Sequence, residues 1–233
     1  MTKRPIRVND VRCIHRHTFE EHPKCFAEGN VRVDLTNDRE WERVTRTPWF
    51  MFPKHNFCYF DIEADGLKPD WATMLSWAIK PKGGDTAFGV ITKKDISKEI
   101  AVDKRLVQAC VDELRNHKIW VTYYGTGYDL PFIRAKCVHY DIEFPEFGTY
   151  YHHDLYYTIR NKFHLSRNSL DNATQYFGIA GKTPIDKEDW RAAKYGNKKA
   201  LAQVVEHNVA DVDILEALHD KIMPFRKWIR TSI

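Results

Sequence analysis

No apolar run in this 233-residue chain approaches the length of a bilayer-spanning helix. The basic start Met1-Thr2-Lys3-Arg4 is followed by no apolar h-region, so neither a membrane span nor a secretory leader is expected. Cysteine is sparse. Five residues, an odd number in a chain this long, do not make a disulfide framework. Cys58, Cys110 and Cys137 lie in apolar surroundings and read as buried thiols. There is no internal repeat and no low-complexity linker. Neither sign of charge dominates: the formal net charge is +4, which permits nucleic-acid binding without demanding it. With 43% hydrophobic and 29% charged residues, the composition is that of a globular protein with one sizeable core, expected to be cytoplasmic and to have no membrane partner.

The division expected is an irregular front segment over 1–55 and a regular domain over 56–233. The front segment concentrates metal-ligand types: Cys13, His15, His17, His22 and Cys25 fall within 13 residues. Cys and His are the favoured ligands of Zn²⁺, so this cluster is a candidate structural zinc site, although its spacing matches no standard finger. Arg32–Leu35 reads as a short strand and Asp38–Arg46 as helix-like. The Pro-bracketed apolar stretch Thr47–Pro53 reads as a strap.

From residue 56 the periodicity becomes regular. Strands are expected over Phe57–Ile62, Met74–Ile79, Ala87–Ile91, Ile119–Tyr124 and Thr149–His153. The Gly pair in Pro81–Asp85 marks a hairpin turn. Apolar residues at helical spacing predict helices over Asp103–Asn116, Tyr128–Tyr140, Asp154–Phe163, Ser169–Phe177, Trp190–Tyr195 and Lys198–Met223. Asp103 and Ser169 read as N-caps. Antiparallel strands first and crossover strands later give a three-layer α/β plan with a mixed sheet.

Carboxylates punctuate this plan at three places. Asp61 and Glu63 stand two apart at the end of the first strand, so both side chains project to one face. Two adjacent acids repel each other unless a positive group lies between them, and carboxylate oxygens suit Mg²⁺ or Mn²⁺. Asp129 falls just past a strand, where a helix begins, which is the ligand-binding edge of open α/β sheets. His207 and Asp211 are an i,i+4 pair on one face of the last helix, among apolar positions. A buried carboxylate there needs a partner, and a metal shared with Asp61 is a candidate.

In their order and context these motifs resemble those of the DEDD (DnaQ-like) superfamily of 3′→5′ exonucleases, which have the ribonuclease H-like fold. Phe60-Asp61-Ile62-Glu63 is similar to the first motif, Thr126–Ile133 to the second and Asn208–Leu215 to the third. The resemblance covers roughly 56–223. There are two departures. Gly125 and Tyr124 stand where many members carry an Asn, and His207 lies four residues before Asp211, where the family has either a Tyr at four or a His at five.

The resemblance implies that Asp61, Glu63, Asp129 and Asp211 hold two Mg²⁺ or Mn²⁺ ions and that His207 acts on the attacking water, with Glu206 and Asp213 as the alternative bases. It implies a substrate of DNA, single-stranded or at the 3′ end of a duplex, cut to nucleoside monophosphates. RNA is the alternative substrate, and a catalytically silent nucleic-acid-binding module the alternative function. Leu67 and Phe132 are expected against the terminal bases. Arg160, Lys162, Arg167 and Lys182, interleaved with Tyr156, Tyr157 and Phe163, form the richest basic-aromatic stretch, the combination that holds single strands.

Overall fold

A computed structural model describes residues 11–13, 31–33, 57–98, 100–117, 119–146, 150–179, 181 and 185–225. The chain forms two compact units, Met1–His55 with Arg226–Ile233, and Asn56–Phe225. In the first, β1 (Val11–Cys13) pairs antiparallel with β2 (Val31–Val33), Cys13 standing opposite Val31. His15, His17, His22 and Cys25, the helix-like stretch 38–46 and the strap 47–53 lie outside the described residues, as does Lys182 in the second unit.

The second unit is built on β3 (Phe57–Ala64), the middle strand of five. The other strands are β4 (Met74–Pro81), β5 (Ala87–Val90), β6 (Ile119–Thr122) and β7 (Tyr151–Asp154), in the spatial order β5-β4-β3-β6-β7. β3 pairs antiparallel with β4 and parallel with β6, so the sheet is mixed as expected. A middle strand covered on both faces reads as a continuous apolar run rather than an alternation. Phe57, Cys58, Tyr59 and Phe60 are accordingly all buried, and polarity begins only at Asp61.

Helices cover both faces. Cys58, Phe60 and Ile62 belong to a core cluster with Leu106, Val107, Cys110, Val111 and Leu114 of α2 (Lys104–Leu114) and Ile133 and Cys137 of α3 (Asp129–Tyr140). Burial pushes the Cys58 and Cys110 thiols up, which keeps them protonated and inert. The three cysteines described in this unit are free and buried. α4 (Leu155–Lys162), α5 (Leu170–Tyr176) and α6 (Lys187–Lys194) follow β7, and α7 (Lys198–Ile222) lies against β3, β4 and β5. Asn197 caps α7 by accepting the N–H groups of Lys199 and Ala200. Among the described residues, no helix is long and apolar enough to cross a membrane.

The strand β1 and the start of α6 at Lys187 were not expected, and two further local features of this unit differ from the reading of the sequence. A short helix, α1 (Lys93–Ile96), was not expected. A reciprocal box nucleates it: Thr92 Oγ1 accepts the Asp95 N–H, and Asp95 accepts the Thr92 N–H. Arg105's guanidinium beside Asp95 holds that carboxyl well below the usual range. The second difference is Asp103. It occupies the N-cap position of α2, but its buried side chain makes no cap hydrogen bond. Instead it accepts the Met74 N–H at 2.8 Å and the Tyr140 hydroxyl, and pairs with buried Lys136 at 3.0 Å. One carboxylate thus ties the starts of β4 and α2 to the far end of α3. Removing one partner of a buried pair strands the other, at a cost of about 3–5 kcal/mol. Asp103→Ala should destabilise the protein by about that much in chemical denaturation; a loss below about 1 kcal/mol would show that the Lys136 ammonium reaches water without its partner.

Candidate active site

The site begins where β3 loses its apolar character. Asp61 stands opposite Ala78 and Glu63 opposite Ser76 on β4, and a bulge follows between Glu63 and Ala64. Bulges re-aim side chains at the ends of pairing. Asp65, the next acid at the same spacing, is used otherwise: its Oδ1 accepts the Thr73 N–H and its Oδ2 pairs with Lys194 at 2.9 Å. It closes the loop between β3 and β4, leaving Asp61 and Glu63 as the site acids of this strand.

α7 brings the second group. One turn of helix separates His207 from Asp211, so both face β3. His207 Nε2 lies 3.7 Å from Glu63 Oε1 and 3.9 Å from Asp211 Oδ2. Glu63, His207 and Asp211 each offer a ligand atom within 4.8 Å of the others. The His207 ring is backed edge-on by Trp190 of α6, with centroids 6.3 Å apart. Between His207 and Asp211 comes Asn208, which the sequence reading passed over as a functional residue. It is fully buried, donates from Nδ2 to Asp61 Oδ2 at 2.7 Å and accepts the Ser76 hydroxyl at 2.9 Å. A signal was present: Asn208 stands four residues from both Val204 and Val212, on the apolar stripe of the helix. A polar side chain at such a position needs partners. Its partners, Ser76 and Asp61, fix how the Asp61 carboxylate is presented.

Asp129 opens α3, and its Oδ1 accepts the Ile62 N–H at 3.1 Å, against the backbone between Asp61 and Glu63. Burial pushes its pKa up to about 7, the Ile62 hydrogen bond opposes this, and the charges of Asp154 and Asp211 add to the rise. The loop before Asp129 is held by Asp154, which caps α4 through the Tyr156 N–H and accepts the Tyr124 and Thr126 N–H groups at 2.7 and 2.9 Å. Asp154 is therefore saturated with backbone donors, in keeping with its expected place as a helix-terminal acid.

The remaining candidates separate clearly. Leu67, beyond the first motif, is 79% exposed, and Trp71 on the same loop is more exposed still. Phe132, expected against the terminal bases, is 1% exposed and packed in the core, so its ring is not available to a strand. The reason is helical spacing, which aligns Phe132 and Ile133 with the buried stripe of α3. Arg160, Lys162 and Arg167 are exposed. The turn between Lys162 and Arg167 borders an open cleft of about 440 Å³ whose lining includes Phe163, His164 and Tyr176. Of the alternative bases, Asp213 pairs with Lys80, and Glu206 is exposed.

This donor set fits divalent cations: hard carboxylate oxygens, one imidazole, and acids whose neighbours are other acids. Asp129 generates a test with a definite sign. A carboxyl raised in the folded protein contributes stability that is complete below its unfolded value, 3.8, and is lost as the pH rises through about 7. Stripped of divalent cations, the protein should therefore lose stability between roughly pH 4 and pH 8, and Asp129→Asn should flatten that decline. Urea denaturation at several pH values, in EDTA, reads it. Equal slopes for the two proteins would mean that Asp129 is ionised throughout.

Comparisons with known proteins bear on the fold and the family. A search of the curated proteins finds no match. Among solved structures, the family B DNA polymerase from the hyperthermophilic archaeon Pyrobaculum calidifontis is similar, with a TM-score of 0.57 and 22% identity over 74% of this chain. The chain spans 25% of that polymerase's length, and at such identity the likeness is one of fold. A family model, that of the RNase H superfamily, matches residues 58–223, from β3 to the end of α7. With that match running through every element that carries the site, this chain belongs to the RNase H superfamily.

Proposed function

We propose that this protein is a divalent-metal-dependent nuclease that removes nucleotides from the 3′ end of DNA, single-stranded or at a duplex terminus, as nucleoside monophosphates. The observation that supports this most is the meeting of Glu63, His207 and Asp211 beside an Asp61 oriented by Asn208. In this reading Asp61, Glu63, Asp129 and Asp211 hold two Mg²⁺ or Mn²⁺ ions. Bound there, such ions lower the pKa of water and stabilise charge on phosphate and leaving oxygens.

The chain's own residues do the rest. Water attacks the terminal phosphorus in line, the bond from phosphorus to the 3′ oxygen breaks, and the shortened strand leaves with that oxygen. His207 takes the water's proton at Nε2, and the flanking Glu63 and Asp211 carboxylates balance the imidazolium that results. The four-residue spacing to Asp211 suits this role, because i,i+4 residues share a helix face. In this reading exposed Leu67 packs against a terminal base, and Arg160, Lys162, Arg167 and Lys182 supply cations for the phosphates.

Degradation of 3′-labelled and 5′-labelled DNA and RNA, with Mg²⁺, Mn²⁺ or EDTA, tests the proposal. Stepwise shortening of 5′-labelled DNA from its 3′ end, abolished by EDTA, is expected. Preference for RNA would move the substrate to an exoribonuclease's. No cleavage, with binding retained, would leave a silent nucleic-acid-binding module. Within an active enzyme, His207→Ala should cost about 10²–10⁴-fold in rate while DNA binding survives. His207→Tyr should retain more activity, since a phenol at this spacing also orients water. Wild-type cleavage by His207→Ala in both Mg²⁺ and Mn²⁺ would remove His207 from the chemistry.

A further inference from the structure

We propose that Tyr124 is a stacking platform for a base of the bound strand, an inference that rests on the nuclease reading above. Tyr124 lies two residues past the end of β6, in a left-handed conformation, φ 64°. Only glycine, and to a lesser degree Asn and Asp, adopts that region readily; a bulky aromatic there is an outlier that the surroundings must hold in place. Glycines follow at 125 and 127, so the chain uses flexible residues just after it and keeps a ring at the strained position.

The surroundings hold it firmly. Asp154 Oδ1 accepts the Tyr124 N–H at 2.7 Å and Oδ2 accepts the Thr126 N–H at 2.9 Å. The Tyr124 carbonyl accepts the N–H groups of Gly127 and Tyr128 at 2.8 and 3.1 Å. The ring lies on Gly127 so closely that a Cβ on that residue would come within 2.5 Å of Tyr124 Cζ. Tyr156 meets the ring edge-on, with centroids 4.8 Å apart, and its own N–H is bound to Asp154. One carboxylate therefore fixes both the strained residue and the aromatic that braces it.

Despite this packing, Tyr124 remains 46% exposed. Its loop runs directly into Asp129, the buried acid of the candidate site, with the Leu130 N–H bound to the Gly125 carbonyl. A ring seated on a glycine, in T-shaped contact with Tyr156 and still half open to solvent, has little entropy left to lose on binding a flat partner. Nucleobases present such a face whatever their sequence, which is how single strands are held by aromatic residues. The exposed Tyr157, in edge contact with Tyr156, extends the aromatic surface toward Arg160.

The test is binding of a short 5′-fluorescein oligodeoxynucleotide, read by anisotropy in EDTA so that no strand is cut. Tyr124→Gly suits the left-handed backbone and removes only the ring. Its Kd should rise about 5- to 150-fold over wild type, with a melting temperature no lower. Tyr124→Trp should bind at least as well as wild type. For an oligonucleotide abasic at its 3′-terminal positions, wild type and Tyr124→Gly should bind alike. Tyr124→Asn, which tolerates the same backbone, serves if the glycine variant does not fold. Unchanged affinity of the ring-less variants, an equal loss on the abasic strand, or no binding by wild type would overturn the platform. Should wild type bind with this ring dependence yet cleave neither DNA nor RNA with Mg²⁺ or Mn²⁺, the platform would stand and the nuclease reading would fall.

Discussion

Mutual repulsion of carboxylates brought together at the end of a buried strand is the constraint on which this unit depends. Glu63 and Asp211 come from elements far apart in sequence, and each lies within 4 Å of the same imidazole nitrogen. Asp129 is sealed against the backbone between Asp61 and Glu63, and burial and neighbouring charge push its pKa up. A fold gathers acids in this way only if something returns the cost. Bound divalent cations would do so.

The same unit shows what an acid looks like when its role is structural. Asp103 is met by Lys136, the Tyr140 hydroxyl and the Met74 N–H. Asp95 is met by Arg105 and by the Thr92 hydroxyl and N–H. Asp154 is met by three backbone N–H groups. In each case donors inside the chain bind the carboxylate, a cation among them for Asp103 and Asp95, and it ties elements together. Around Asp129 the balance runs the other way, since the charges of Asp154 and Asp211 raise its pKa. Asn208 joins the two regimes: it borrows a hydroxyl from β4 to orient Asp61, without bringing a charge that would compete with a cation.

Most of the frame was legible in the sequence because its signals are local. The apolar run into Asp61 sets β3, and the stripe from Leu201 to Ile222 sets α7. The i,i+4 spacing of His207 and Asp211 was enough to place both on one face of α7, and the structure turns that face to Glu63 of β3. Other features depend on contacts between distant segments. Asp103 looked like a cap because capping is the local use of such a residue, whereas its partners arrive from β4 and α3. Tyr124 gives no local hint of a positive φ, because the carboxylate that holds it lies 30 residues on. Phe132 is a different kind of miss: proximity to a motif was weighed above the helical stripe that buries it. Asn208 and the Thr92–Asp95 box were readable by the rules applied elsewhere, one as a polar break in an apolar stripe and the other as a capping pair.

The central claim is that these carboxylates form a cation site. Anomalous diffraction from crystals equilibrated with Mn²⁺ tests it most directly. The account predicts manganese peaks at coordination distance from the carboxylates of Asp61, Glu63, Asp129 and Asp211, with His207 beside them. Manganese-free density at Glu63 and Asp211 under saturating Mn²⁺, with the acids still in place, would contradict it.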